Sequence, residues 1–434
     1  MNAQSNRDAG ATNLLGRIAL LGTLSLPVGL LYSRVASEVS IGVVDCCFLA
    51  DCLLHRYWNW LSRPWNLAAF PWLAWLVLCS AASGEWPVLA QALATLRFLL
   101  LAAALADWVL VAAAPRRWLG WMVTLAAGWI ALQSWQQYLT GRNLFGVPRN
   151  GDGALTGPFN RPRAGPAFLL VFFPALLPAA MALIGRRGWA ARAMGALLVV
   201  LAVATMVLIG QRMPAVLMAF GLLVCAALLR PLRMAVLGAV VAACLLLAAT
   251  PVVSPPTFQK LVVHFTAQME HFASSDYGVI YQRAAVITAA HPLLGLGFNG
   301  FRRHCAEPRY FLSLPWIGAP DGGLRGCNTH PHNFYLEAAT SSGVPGLLLF
   351  AGMMVTWLVL LGRSLNGNAV RVGLLLTALL EAWPLASTSE FFSVPNVGWV
   401  FLMLGWGFAE LRADAGDPRA SSVIPDIPQV VTVS

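Results

Sequence analysis

Charge is the scarcest property of this 434-residue chain. Only 11% of the residues are Asp, Glu, Lys or Arg, 58% are hydrophobic, and the mean hydropathy is +0.69. A soluble domain carries about 25% charged residues. So little polar surface cannot coat a soluble body of this length, which excludes a soluble enzyme, a disordered chain and a small disulfide-stapled domain. Lysine is almost missing: Lys260 stands alone beside 27 arginines. The chain therefore has no G-x-x-x-x-G-K-[ST] loop, and direct use of ATP has no cradle. It has no D-x-D for a metal-bound nucleotide sugar, and no G-x-S-x-G for a serine nucleophile. No A-x-A site follows the first apolar stretch, so that stretch is expected to stay as a helix rather than be cleaved as a signal peptide. No basic run interleaved with aromatics points to nucleic acid.

What remains is an all-α polytopic membrane protein. A spanning helix needs about 20 mainly apolar residues. Twelve stretches qualify: 16–34, 39–55, 65–83, 88–112, 118–139, 165–184, 192–210, 214–230, 233–250, 334–361, 370–388 and 394–411. The expected organisation is nine spans in 1–250, with a basic connection at 140–164, then a large loop at 251–333, three spans in 334–411 and a tail at 412–434. With both termini cytoplasmic, every inner connection holds at least two arginines, whereas the short outer turns near 34–38, 84–87 and 389–395 hold only Arg34 against Glu38, Glu85 and Glu390.

The outer exceptions are more informative. Segment 140–164 carries Arg142, Arg149, Arg161 and Arg163, and Arg212 lies in the outer turn before the eighth span. Loop 251–333 adds Lys260, Arg283, Arg302, Arg303, Arg309 and Arg325, with six of the seven histidines. Long loops escape the charge rule, so one such arginine carries no message. Together they make a cationic outer face, which suits a phosphate-bearing ligand. A loop of this length without function is unusual. Within it, 257–272 and 276–290 have helical apolar spacing and are expected to lie along the membrane surface. Cys305 and Cys327 are the two cysteines of this loop, and in an oxidising periplasm they can pair. Asp45, Asp51, Arg97, Asp107 and Glu381 fall inside expected spans, where such groups pair or line a cavity.

The run Thr329-His330-Pro331-His332-Asn333-Phe334-Tyr335-Leu336-Glu337 opens the tenth span at its outer end. Asn333 has the chemistry of an N-cap. The positive end of the helix dipole beside His332 then favours neutral imidazole, which can act as a general base toward a sugar hydroxyl. The plainer reading is a capping or interfacial histidine. A metal site from Cys327, His330 and His332 lacks an evident fourth ligand. Glu337, one turn on, is placed to orient His332 or to touch an acceptor. Gly343-Val344-Pro345-Gly346 then interrupts the helical run, either as ordinary packing or as a bend that opens space beside the site.

These residues form a pattern. His332 and Asn333, nine residues, Gly343, two residues and Gly346 resemble the H-[NSQ]-x9-G-x-x-[GTY] signature of WaaL-type O-antigen ligases. Upstream, Arg283 and the run 291–301, with Gly295 and Gly297, resemble the other half of the signature of the Wzy-C ligase and polymerase superfamily. The resemblance implies a GT-C-like fold in the bacterial inner membrane with its site facing the periplasm. It implies a donor glycan on undecaprenyl diphosphate, a sugar of lipid A–core as acceptor, membrane lipid as surroundings, and no cofactor, neither ATP nor metal. It gives His332 the role of base, and gives Arg283 and Arg212 the role of binding the diphosphate. On charge grounds Arg161 and Arg163 are candidate substrate contacts, and His330, Asn333 and Glu337 of the histidine run are candidate substrate contacts beside them. No carboxylate is marked as a covalent nucleophile, so a single inverting displacement is expected. The alternatives are a polymerase acting on the same lipid carrier and, in another class, a transporter of lipid-linked glycans.

Overall fold

A computed structural model describes residues 2–313, 322–363, 365–386, 390–391 and 394–414, with side chains described from Leu14 to Ala413. Most of the expected tail lies outside the described residues. Among the described residues every regular element is helical, and one isolated backbone bridge joins Arg142 to Pro148.

The helices fall on all twelve expected stretches. They run α1 (Asn2–Tyr32), α2 (Arg34–His55), α3 (Pro64–Ala82), α4 (Trp86–Ala94), α5 (Leu96–Ala104), α6 (Ala113–Thr140), α7 (Ala164–Ile184), α8 (Trp189–Ile209), α9 (Arg212–Leu228) and α10 (Arg233–Val253). Beyond the loop come α15 (Phe334–Leu361), α16 (Ala369–Glu381) and α17 (Asn396–Asp414); the short helices between α10 and α15 are α11 (Pro255–Phe258), α12 (His264–Glu270), α13 (Asp276–Ala290) and α14 (Gly300–His304). Among the described residues, seven helical stretches are long and apolar enough to cross a membrane: Leu14–Tyr32, Pro64–Ala82, Trp86–Val109, Ala164–Ile184, Trp189–Ile209, Arg230–Val253 and Phe334–Leu361. Three of the others fall short for visible reasons. α2 carries Arg34, Glu38, Asp45 and Asp51, α9 has 17 residues, and α16 has 13.

The bundle is knitted by neighbours along the chain, α1 on α2, α6 on α7 and α7 on α8, and by returns from the C-terminal helices, α15 on α3, α16 on α7 and α17 on α5. Arg97 and Asp107, two of the charges expected inside spans, pair across helices, whereas the Asp45 carboxylate makes no hydrogen bond among the described residues. Arg97 grips Glu38 with two bonds of 2.9 and 3.0 Å. The buried Asp107 carboxylate meets Arg63 at 2.9 Å and Arg412 at 2.8 Å, which ties α3 and α17 to the π-helical turn Leu105–Val109. These are the partners that ions in an apolar bundle require.

α15 is broken in its N-terminal half. Gly343 has φ 68° and ψ −170°, far from helical values. Pro345 follows, so the next turn also lacks a donor. The turn 291–297 plugs the break. Val344 N–H donates to the Pro292 carbonyl at 2.7 Å, and Leu296 N–H donates to the Thr340 carbonyl at 2.9 Å. The bend therefore opens a gap in the helix, and backbone of this chain fills it.

Loop 251–333 is more compact than the sequence suggests. α13 packs on α15 and is not a surface float: Ile280, Ala284 and Ile287 are buried with Phe301, Cys305 and Tyr310 in a small separate core. Its apolar residues are consumed by tertiary packing, which corrects the expectation of an interfacial helix. The other expected helix, 257–272, is divided into α11, a π-turn (Gln259–Val263) and α12, with Met269 and Phe272 exposed.

Candidate active site

A cavity of about 700 Å³ opens between the 141–163 connection and the turn that plugs α15, lined by Arg34, Arg97, Arg161, Arg163, Arg302 and His330, with Glu390 as its carboxylate. Each wall is fixed by local chemistry. The 141–163 connection is pinned by the amides of α6. Gln137 Oε1 accepts from Thr156 N–H at 2.7 Å, and Gln133 Oε1 accepts from Leu144 N–H at 2.9 Å. Asn143 Oδ1 accepts from Phe145 and Val147, closing a turn on itself. At the end of this connection, Gln211 Oε1 accepts from Gly165 N–H at 2.7 Å while its amide nitrogen donates to Pro162. Arg161 and Arg163 thus stand on a braced turn.

The opposite wall comes from the turn plugged into α15. Gly297 (φ 76°) lets that chain pass close over α3, where Phe298 N–H donates to Ser80 Oγ at 3.0 Å. Arg302 and Asn299 follow directly. Glu390 lies between these groups and Arg34; burial pushes its carboxyl upward, and Arg302, Asn299 and Arg34 oppose that rise. Arg97 also reaches the cavity while held by Glu38, its guanidinium 4.1 Å from the Phe98 ring centre.

The histidine run adjoins this cavity. Asn333 caps α15, its Oδ1 accepting from Tyr335 N–H at 3.0 Å and Leu336 N–H at 3.1 Å, and its amide nitrogen donates to the Pro384 carbonyl. His332 adopts φ 54°, a left-handed conformation. That turn throws its ring against His330, with centroids 4.2 Å apart, and against Tyr277, at 5.4 Å. His330 lines the cavity, and His332 is one ring behind it. Glu337 is buried below and turned elsewhere: its Oε2 accepts from Phe391 N–H at 3.0 Å.

The structure separates the other expected residues from the cavity wall. Arg283 is 1% exposed. One terminal nitrogen donates to the Cys305 carbonyl and the other to the Gly323 carbonyl at 2.8 Å, with the guanidinium 4.2 Å from the Phe311 ring centre. Arg212 donates to the Lys260 carbonyl at 2.8 Å and to Gln268, and lies within electrostatic reach of Tyr277. Cys305 is bonded to Cys327, with Cα atoms 5.0 Å apart, so the Cys327 sulfur is not available to a metal. Gly295 and Gly343 face one another's backbones: a Cβ at Gly295 would lie 2.6 Å from the Ser341 carbonyl carbon, and one at Gly343 would lie 2.3 Å from the Leu293 oxygen. Gly346 leaves room for the Ser342 side chain and the Trp75 ring.

Sequence reasoning passed over Arg34, Arg97 and Arg302 as site residues. Each carried a partial signal: Arg34 is the one arginine of the turns near 34–38, 84–87 and 389–395, Arg97 falls inside an expected span, and Arg302 belongs to the cationic loop 251–333.

Residues 197–351 match the family model Wzy_C, described as O-antigen ligase. The matched stretch takes in Arg212, Arg283, the 291–301 turn, both histidines and the break at Gly343. Arg34, Arg97, Arg161 and Arg163 precede it. No curated protein matches the chain.

Proposed function

We propose that this chain, an integral membrane protein whose residues 197–351 are of the O-antigen ligase type, moves a glycan from undecaprenyl diphosphate to a sugar hydroxyl of lipid A–core. The observation that carries the reading is the contact of the His332 ring with His330 on the wall of an arginine-lined cavity. A diphosphate is a good leaving group when its charge is met. Arg161 and Arg163 supply fixed cations, and they act most as negative charge grows on the departing oxygen. His332 takes the proton of the acceptor hydroxyl as its oxygen attacks the anomeric carbon. One displacement inverts that carbon. The activation already stored in the donor removes any need for ATP, and no step above calls for a metal.

Arg212, beside Tyr277, is kept as a second diphosphate contact. Arg283 works from further back, by holding the carbonyls of the loop that carries the histidine run. The proposed setting is the bacterial inner membrane, with about twelve spans in a GT-C-like bundle, both termini cytoplasmic, residues 251–333 forming a periplasmic loop before the last three spans, and the cavity facing the periplasm. The arginine asymmetry of the loops supports that orientation.

Ligation is separated from polymerisation by the lipopolysaccharide of a deletion strain. Loss of a ligase leaves bare core and accumulates lipid-linked polymer. A core bearing a single repeat would instead assign polymerisation of O-units on the same carrier.

A further inference from the structure

His332 is held by a side chain that the signature does not include. Asn328 Oδ1 accepts from Thr329 N–H at 2.7 Å, and a backbone N–H has no other role to offer, so the amide orientation is set. The remaining atom, Nδ2, is a donor only, and it lies 3.1 Å from His332 Nε2. Nε2 must then present its lone pair. In the neutral ring the proton sits on Nδ1.

Asn328 is itself fixed. Its neighbour Cys327 is bonded to Cys305. Arg283 holds the carbonyls of Cys305 and Gly323 on either side of that crosslink. Among the described residues, the titratable and charged groups around the His332 ring include His330, Tyr277 from α13 and, beyond Tyr277, Arg212 from α9.

We propose that Asn328 is a positioning residue for glycan transfer: its side-chain amide selects the His332 tautomer in which Nε2 is the basic nitrogen and holds the ring in place until the acceptor hydroxyl takes the amide's position. This inference rests on His332 being the base. In the transfer step the hydroxyl proton passes to Nε2 as the acceptor oxygen bonds to the anomeric carbon. The bond from that carbon to the diphosphate oxygen breaks, the diphosphate leaves with the electron pair, and the imidazolium then returns its proton to solvent.

The test uses full-length protein in lipid nanodiscs, with a lipid-linked glycan as donor and lipid A–core as acceptor. Asn328→Ala is expected to lower kcat at least about tenfold with KM within about twofold, because orientation is lost and binding is not. Asn328→Asp puts a carboxylate oxygen against the ring nitrogen. It should draw the proton onto Nε2 and move the acid limb of the kcat profile to higher pH by about one unit or more. Nitrogen NMR of labelled histidine, assigned by difference with His332→Ala, should show the proton on Nδ1 in the native protein and on Nε2 in Asn328→Asp. A role confined to packing would move neither the limb nor the tautomer. Native kcat in Asn328→Ala, or an unshifted limb and tautomer in Asn328→Asp, overturns the proposal while leaving His332 as base. Full activity in His332→Ala overturns the base assignment, and with it the catalytic purpose of Asn328, even if the tautomer responds.

Discussion

The backbone N–H of Val344 donates to the carbonyl of Pro292 at 2.7 Å, across the break in α15. This one bond joins two glycine-bearing runs that the chain keeps well apart. The helix gives up its regular ladder at Gly343, and a turn of the large loop supplies the missing partner. Histidine and arginine elements are brought onto one side of the bundle by that junction.

Gly343 is therefore expected to tolerate no side chain. Its backbone lies where L-residues pay about 1–3 kcal/mol, and an added Cβ would meet the Leu293 oxygen at 2.3 Å. Gly343→Ala should lower the thermal midpoint of the detergent-solubilised protein by several degrees and abolish transfer. Gly352, in the same helix with nothing within 4 Å of its added Cβ, is the control, and Gly352→Ala should be neutral.

Arg161 and Arg163 face the cavity from a turn braced by Gln137 and Gln211. A hydrogen bond to a charged group contributes about 1.5–3 kcal/mol. Arg161→Ala and Arg163→Ala should each weaken donor use by roughly tenfold to a hundredfold. The loss should appear in KM for the donor as well as in kcat, with the fold intact by circular dichroism. Unchanged donor kinetics in both variants would remove them from the diphosphate site.

Arg283 is expected to behave differently. It is buried, and it donates to the carbonyls of Cys305 and Gly323. Lysine cannot reproduce the planar fork. Arg283→Lys should speed amide hydrogen exchange through 300–313 and 322–333, and activity should fall in step. Loss of activity with native exchange in those segments would return Arg283 to direct contact with the diphosphate.

The turn that plugs α15 should loosen in mild acid. Burial, with Arg309 and His304 nearby, holds His291 below its ordinary pKa of 6.5, and its Nε2 shares a 2.8 Å hydrogen bond with the Tyr310 hydroxyl. The folded state then binds fewer protons than the unfolded one between the two values. Its contribution to stability is full above about 6.5 and is lost as pH falls through the depressed value. Hydrogen exchange across 291–297 should quicken as pH drops below about 6.5, after correction for intrinsic rates. His291→Gln, which cannot charge, should flatten that response.

Much of this was legible in the sequence. The twelve apolar stretches all fall on helices, because a run of about 20 apolar residues has few other ways to satisfy its backbone in a bundle. The N-cap at Asn333 was visible because side-chain capping is a local event. Arg97 and Asp107 had to find partners, but no local pattern sets the register of Glu38, Arg63 or Arg412, which come from other helices. The cavity hid for the same reason. Arg34, Arg97 and Arg302 lie in three separate elements and meet only through packing. α13 misled in the other direction: helical spacing reports an apolar face and not what covers it, and here the cover is a small core around Phe301 and Tyr310. The bend at Gly343 was readable from Pro345 and the glycines, whereas its plug, the 291–297 turn, was not.

The most direct test is in vitro transfer with purified native protein and His332→Ala, using undecaprenyl diphosphate-linked glycan, lipid A–core and a chelator. The native protein should convert core to the glycan-bearing product with inverted anomeric configuration, and His332→Ala, with native exchange and thermal stability, should yield at least about a hundredfold less. Comparable product from both proteins, or retained configuration, would contradict a histidine-assisted single displacement beside the arginine cavity.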